Sequence, residues 1–414
     1  MRPNLEASNR QTHGERCAVN SFLQGIRSVN PEDFQNEGER MEALLEVYAL
    51  MARLESPWET LPALGAALKM CKDLKLFEKW QEQGAEAMTS GQLAEVIGGV
   101  CDPSLLYRVL RLLASNHLLE EISIGTFEPT QFSIAITAPV FDGLIHSFYD
   151  MSLPLYAKMP EFFAETGLYK YYLQHVHEWN GSLWSYYEAH PEKQEQFNTI
   201  QQTISAQQPA WTDIFSAHTL LDADPGVPLL VDVGGSTGHD LLKFYEAHPE
   251  KASQLYLEDL GSVIHSAVLP EEINKIEYDF FSKQPIKGNL MTGMKQAICI
   301  LERDEADPAS GARAYYMHSI LHDWSDGPAR KILEKQKDAM TPGYSKLLIH
   351  DHIVVEGFAH PQTTAFDIQM MVMVAGQERS ERHWRDLLES AGLRVRIWTL
   401  ESAVHSVIEA EVSM

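Results

Sequence analysis

Leu229-Leu230-Val231-Asp232-Val233, followed at once by Gly234-Gly235-Ser236-Thr237-Gly238, is the stretch whose reading decides the fold. A run of this length, apolar but for Asp232, suits a strand covered on both faces, as in parallel sheets flanked by helices. The glycines permit a tight turn and a close backbone approach to a ligand, and Asp240–His248 then reads as a helix. A second strand, Gln254–Leu260, brings Asp259 to its end 21 residues after Gly238, beside Glu258. A carboxylate there can accept hydrogen bonds from ribose hydroxyls. Ser236 occupies the middle of the loop, where a dinucleotide fingerprint wants close approach to a pyrophosphate, so adenosine is better served than a diphosphate. A nicotinamide dinucleotide stays open on these residues alone. After a further short strand, Tyr278-Asp279-Phe280-Phe281 could offer a carboxylate to an adenine amine and a ring to its face. A turn Asp before a core Phe fits those four residues equally well.

Working outward, Ser262–Val268 reads as a helix, and Arg313–Ser319, Ser345–Val355 and Arg394–Leu400 read as later strands with helices between them. Strands alternating with helices imply an α/β domain with a mostly parallel, doubly wound sheet, whose ligands bind at the carboxyl ends of the strands. The N-terminal half differs. Residues 1–40 are polar and read as a flexible segment with one short helical stretch near Cys17–Val29. Apolar residues at helical spacing then mark Gly38–Leu54, Leu61–Cys71, Leu76–Gln83, Thr89–Ile97 and Pro103–Ser115. Asp102 is the expected N-cap of the last of these, which carries Leu105, Leu106, Val109, Leu110 and Leu112 on its apolar side. Leu118–Ile124 and Gln131–Ile134 read as two short strands around Gly125. Helix, turn, helix and a two-stranded wing make a winged-helix arrangement over 41–150. Residues 151–220 form a helical, aromatic-rich connector.

Composition narrows the function. The chain has 414 residues and a net charge of −25, which opposes nucleic acid and anionic membrane surfaces. No apolar run approaches the roughly 20 residues of a membrane span. The N-terminus lacks the apolar centre of a signal peptide. Cys17, Cys71, Cys101 and Cys299 are widely spaced without a CxxC pair, so neither a disulfide framework nor a metal site is expected, and the cytoplasm is the expected compartment. A small-molecule substrate conflicts with none of this.

The sharpest segment is Met317-His318-Ser319-Ile320-Leu321-His322-Asp323-Trp324-Ser325-Asp326. It lies where a strand gives way to a loop and then to a helix starting near Pro328. A histidine at the carboxyl end of such a strand is placed to act as a general base at neutral pH.

Taken in order, DVGGSTG, the LEDL strand end, YDFF, HSILHDWSD and the later Asp367, Met370-Met371 and Gly376-Gln377-Glu378-Arg379-Ser380 resemble the plant-type small-molecule O-methyltransferases and their fungal relatives. The likeness spans roughly residues 40–414. It implies a Rossmann-like domain over 221–414 that binds S-adenosylmethionine, an N-terminal winged-helix dimerisation domain and a homodimer. It also implies that His322 takes the proton from a substrate hydroxyl, flanked by Asp351 and Glu378. The family more often has Glu where this chain has Asp351. Asp232, Gly234, Gly235 and Gly238 fall in the cofactor loop, with Asp259 at the ribose and Asp279 with Phe280 at the adenine. His318 stands where relatives often carry Lys or Arg against the cofactor. Met317, Trp324, Met370 and Met371 are candidate walls of the substrate pocket. Asn289–Gly311 has no counterpart in the family pattern and reads as an insertion. Some fungal relatives catalyse dehydrations or pericyclic reactions instead, but such members would be expected to lose the base that His322 supplies. A cofactor-sensing DNA regulator would need a basic recognition surface, and Arg108 and Arg111 alone do not make one.

Overall fold

The computed structural model describes residues 21, 24–54, 64–166, 182–207, 209–223, 226–287, 311–356, 359, 361–400 and 405–413. The chain divides into a small unit, Met1–Thr60, and a large one, Leu61–Met414. The small unit contributes the helix Glu37–Leu54. Most of the segment 1–40, and nearly all of 289–311, lie outside the described residues.

In the large unit a small antiparallel sheet comes first, with β1 (Met88–Thr89), β2 (Leu119–Ser123) and β3 (Thr126–Pro129) in the order β1-β3-β2. The Thr89 side chain accepts from Gln92 N in a capping box that starts Ser90–Val96. Asp102 Oδ1 accepts from Ser104 N and Leu105 N to start Pro103–Ser115, as expected. That helix buries Leu106, Leu110 and Leu113 against Phe77, Trp80, Leu93 and Phe127. Leu105 instead faces outward, because the buried stripe runs one position further round the helix. The strand that follows Gly125 is Thr126–Pro129 and not Gln131–Ile134. Gly125 turns the chain back at once, and Thr130 then caps a short helix, Gln131–Ala135.

The main sheet has β4 (Leu230–Val233), β5 (Leu255–Asp259), β6 (Asn274–Glu277), β7 (Ala314–His318), β8 (Lys346–Val354), β9 (Arg379–Ser380), β10 (Leu393–Trp398) and β11 (His405–Val412). Its order is β10-β11-β8-β7-β4-β5-β6, with β9 beside the end of β8. From β8 to β6 the strands are parallel; β11 enters antiparallel between β8 and β10. The helix expected at Ser262–Val268 is a single turn, Gly261–Ile264. All four residues of β4 are buried, as a central strand requires. Even-numbered Leu230, Tyr316 and Leu348 face one core with Trp211 and Phe244, and odd-numbered Val231, Tyr315 and Ile349 face another with Trp384 and Leu333. Strand order reverses between β4 and β7, so the crevice for a ligand opens above those two carboxyl ends. Helices Leu153–Thr166 and Leu183–Ala189 pack Leu155, Phe162 and Tyr187 against Val372 and Met373.

The core around the small sheet depends on the stripe of the helix Pro103–Ser115. Leu110, fully buried there, should cost about 2–5 kcal/mol of stability when changed to Ala, read by urea unfolding; a change below 1 kcal/mol would refute this packing.

Candidate active site

The loop after β4 is built around a buried acid. Asp232 is almost fully buried, and neither carboxylate oxygen has a hydrogen-bond partner among the described residues. Burial, reinforced by Asp240, Asp259 and Glu258, pushes its pKa well above the ordinary range. A Cβ on Gly235 would stand 2.4 Å from the Asp232 carboxyl carbon and 2.6 Å from Leu257 Cδ1, so only glycine fits. Gly234 N and Gly235 N donate to Glu258 O at 2.7 and 3.2 Å, and Gly238 opens the helix His239–Ala247. At the end of β5, Asp259 accepts from Ser236 N and Leu260 N at 2.7 Å each, which ties the loop to the second strand. Burial raises the Asp259 pKa to about 6 despite those donors.

Beyond β6, Asp279 is exposed and accepts from Phe281 N, while Phe280 is half-buried. The rings of Phe280 and Phe281 meet Trp324 edge-on, at centroid distances of 6.1 and 4.7 Å. Trp324 therefore stands with the aromatic pair after β6. The residues present fit an adenosyl ligand: Asp232 is a buried acid without a partner among the described residues, the glycines admit a close approach, and Phe280 Cε1 stands 3.7 Å from where a Cβ on Gly234 would be.

His322 lies on the loop after β7. Its Nδ1 is 2.8 Å from Glu378 Oε1 and 3.6 Å from Asp351 Oδ1, and its Nε2 is 3.5 Å from Asp323 Oδ1. Burial would lower the imidazole pKa, but the Asp351, Asp323 and Glu378 carboxylates outweigh it and raise it to about 10. Burial in turn raises Asp323 to about 7 and Asp351 to about 6. Asp351 reaches the histidine in spite of its shorter side chain because it lies in β8 beside β7, with its Oδ1 also accepting from His352 N.

Residues 376–379 hold this arrangement from below. A Cβ on Gly376 would come within 2.1 Å of His322 O, so the backbone can pass there only as glycine. Gln377 N donates to that same carbonyl, and Glu378 N donates to Asp367 Oδ1. Arg379, fully buried, donates to Leu321 O, Trp324 O and Asp326 Oδ1, and so clamps the loop on both sides of His322. Arg379 and Asp323 were both quoted within sequence motifs, yet only their contacts reveal what they do.

The remaining candidates divide. Met317 is fully buried among Val231, Tyr315 and Ile349, where it packs the sheet and lines no cleft. Met370 and Met371 are half-buried on the helix Pro361–Val374, with Met371 against the aromatic cluster of the helical connector. His318 turns its Nδ1 to Asp240 Oδ2 at 2.5 Å. Of the aromatic residues of the connector, Tyr169, Tyr171, Tyr172 and Trp179 lie outside the described residues.

An O-methyltransferase domain matches residues 287–394. The chain is 50% identical over 408 residues to O-methyltransferase mfmE of Annulohypoxylon moriforme, covering 95% of each chain. Among solved structures, that of LepI in complex with S-adenosylmethionine superimposes with a TM-score of 0.78 at 22% identity, covering 97% of this chain and 100% of that one. OxaC in complex with S-adenosylhomocysteine and oxaline does so with 0.71 at 19%, covering 98% and 100%. With the glycine loop, the buried Asp232 and the histidine–carboxylate centre in place, this relatedness shows that the chain belongs to the S-adenosylmethionine-dependent O-methyltransferases.

Proposed function

We propose that this enzyme methylates a phenolic hydroxyl of a small natural product, with His322 as general base. The observation that carries the reading is the hydrogen bond from His322 Nδ1 to Glu378, which leaves Nε2 as the nitrogen able to take a proton. A phenol, with a pKa of about 10, is within reach of one histidine in a way that an aliphatic alcohol is not. When bound, S-adenosylmethionine supplies an electrophilic methyl carbon and a positive charge. The chain's residues do the rest. Asp232, Asp259 and the Gly234–Gly238 loop hold the cofactor, and Asp279 with Phe280 receives the adenine. Glu378 and Asp351 stabilise the imidazolium that forms, and a positive charge in the crevice favours the neutral ring beforehand. Arg379 is a positioning residue that fixes the loop carrying His322.

We assign 41–150 to a winged-helix dimerisation domain, 151–220 to the connector and 221–414 to the catalytic domain. Val100, Leu105, Ile122, Ile124 and Phe132 are exposed apolar side chains of the N-terminal module that a second copy would cover. No helix among the described residues is long and apolar enough to cross a membrane, which accords with a cytoplasmic site of action. Sedimentation of the full chain should give twice its 46.8 kDa mass; a monomer at micromolar concentration would overturn the homodimer.

The primary test is transfer of isotopically labelled methyl from S-adenosylmethionine to a panel of phenolic metabolites, by wild type and His322→Ala together. The variant should bind cofactor normally and lose about 10²–10⁴ in rate. Equal labelling by both would remove His322 from the reaction. Cofactor binding without label on any acceptor would favour a dehydratase or pericyclase built on this fold.

The pH profile tests the base separately. With the His322 pKa raised to about 10, the neutral imidazole is scarce at pH 7 and increases about tenfold per pH unit. The ratio kcat/KM should therefore climb between pH 7 and 9. Glu378→Gln removes an anion that raises this pKa, so the climb should move to lower pH. A climb due to ionisation of the substrate would stay where it was.

A further inference from the structure

On the other face of β8 from Asp351, a second group of side chains converges, of which the methyl-transfer reading calls only on His318, as a cofactor contact. His318 ends β7 and pairs in register with His350 of β8, while His405 begins β11 opposite His352. The His318 and His350 rings stack at 4.1 Å, and His405 stands edge-on to them at 5.2 and 5.3 Å. His318 Nε2, His350 Nε2 and His405 Nδ1 are buried and have no hydrogen-bond partner among the described residues. One ring nitrogen from each of the three residues lies within 4.8 Å of the others. Three buried imidazole nitrogens left unsatisfied in one place are an anomaly, because buried polar atoms are otherwise paired.

The opposite nitrogens are held. His318 Nδ1–H donates to Asp240 Oδ2 at 2.5 Å. The chain from His350 is longer, running from Nδ1–H to the Tyr316 hydroxyl at 2.8 Å and from that hydroxyl to Asp240 Oδ2 at 3.3 Å. Both hydrogen-bond chains end on one carboxylate, so that in its neutral Nδ1–H tautomer each ring would offer the Nε2 lone pair on its other side. A carboxylate or hydroxyl behind an imidazole is the usual support of a metal-ligating histidine, since it fixes the tautomer and raises ligand basicity.

We propose that His318, His350 and His405 form a binding site for a divalent transition ion of the zinc class, supported by Asp240 and Tyr316. Imidazole donors select such ions over magnesium or calcium. Ligands of a tetrahedral zinc ion with bonds of about 2.0–2.1 Å stand about 3.4 Å apart, so the rings close inward by small rotations as the ion enters. The His318 side chain, 14% exposed, gives the point of entry. The ion's part is structural. It ties the start of β11 to the carboxyl ends of β7 and β8, the two strands that present His322 and Asp351.

The test uses untagged full-length enzyme, stripped with a chelator and titrated with Zn²⁺ or Co²⁺ by calorimetry, with the melting temperature followed in parallel. One equivalent per chain should bind and raise the melting temperature. His405→Ala should weaken binding at least about 100-fold, Asp240→Asn about 10–100-fold, and His322→Ala should leave it unchanged. X-ray absorption on the Co²⁺-loaded wild type needs no variant: two or three imidazole ligands support the site, and fewer overturn it. Absence of stoichiometric binding at micromolar metal would overturn it too. So would binding lost in His322→Ala and kept in His405→Ala, which would put the ion among His322, Asp351 and Glu378.

Discussion

One imidazole held among three buried carboxylates is the constraint to which the catalytic half of the molecule answers. Burying a charge is costly unless it is paired, and here His322 and its acids compensate one another within 3.6 Å. The pairing requires three separate pieces of chain to arrive together. The loop after β7 brings His322 and Asp323, β8 brings Asp351, and the segment before β9 brings Glu378. Gly376 makes the third arrival possible, because any side chain there would collide with His322 O and push Glu378 away from the ring. Arg379 then fastens the assembly by satisfying the carbonyls of Leu321 and Trp324. A charged guanidinium with no exposed surface is tolerable only because its donors meet those acceptors and Asp326.

The same logic extends to the cofactor crevice. Asp232, Asp240, Asp259 and Glu258 crowd the ends of β4 and β5, and burial keeps Asp232 from ionising easily. Asp240 alone is held well below the ordinary carboxylate range: burial would raise it, but His318 outweighs that. An acidic crevice in a protein of net charge −25 repels polyanions and welcomes a cation. Strand alternation separates the two histidine groups. His350 and Asp351 are neighbours in the chain, yet they serve opposite faces of β8.

Some of this was legible in the residues alone. The strand–glycine–helix pattern of Leu229–Gly238, the acidic end of β5 and the helix caps at Thr89 and Asp102 are local features, decided by neighbours within a few positions. Hydrophobic periodicity and backbone chemistry act over that range, so those readings held. Gln131–Ile134, expected as a strand, is helical because Thr130 caps it: a short apolar stretch suits strand or helix equally until its cap is known. Met317, a candidate pocket wall, is turned by strand alternation into the core.

The sequence by itself determined the alternation of strands and helices from Leu229 to Leu400, the glycine loop and the candidacy of His322, and its family likeness added the cofactor class. Tertiary structure added Asp323 to the Asp351 and Glu378 that the family likeness implied, and gave Arg379 and Gly376 their tasks. It also inserted β11 antiparallel beside β8 and gathered His318, His350 and His405. These depend on contacts between residues dozens of positions apart, whose spacing along the chain carries no record of their distance in space. Secondary structure follows from local sterics and periodicity, whereas a site follows from the packing of whole elements, and only the fold supplies that.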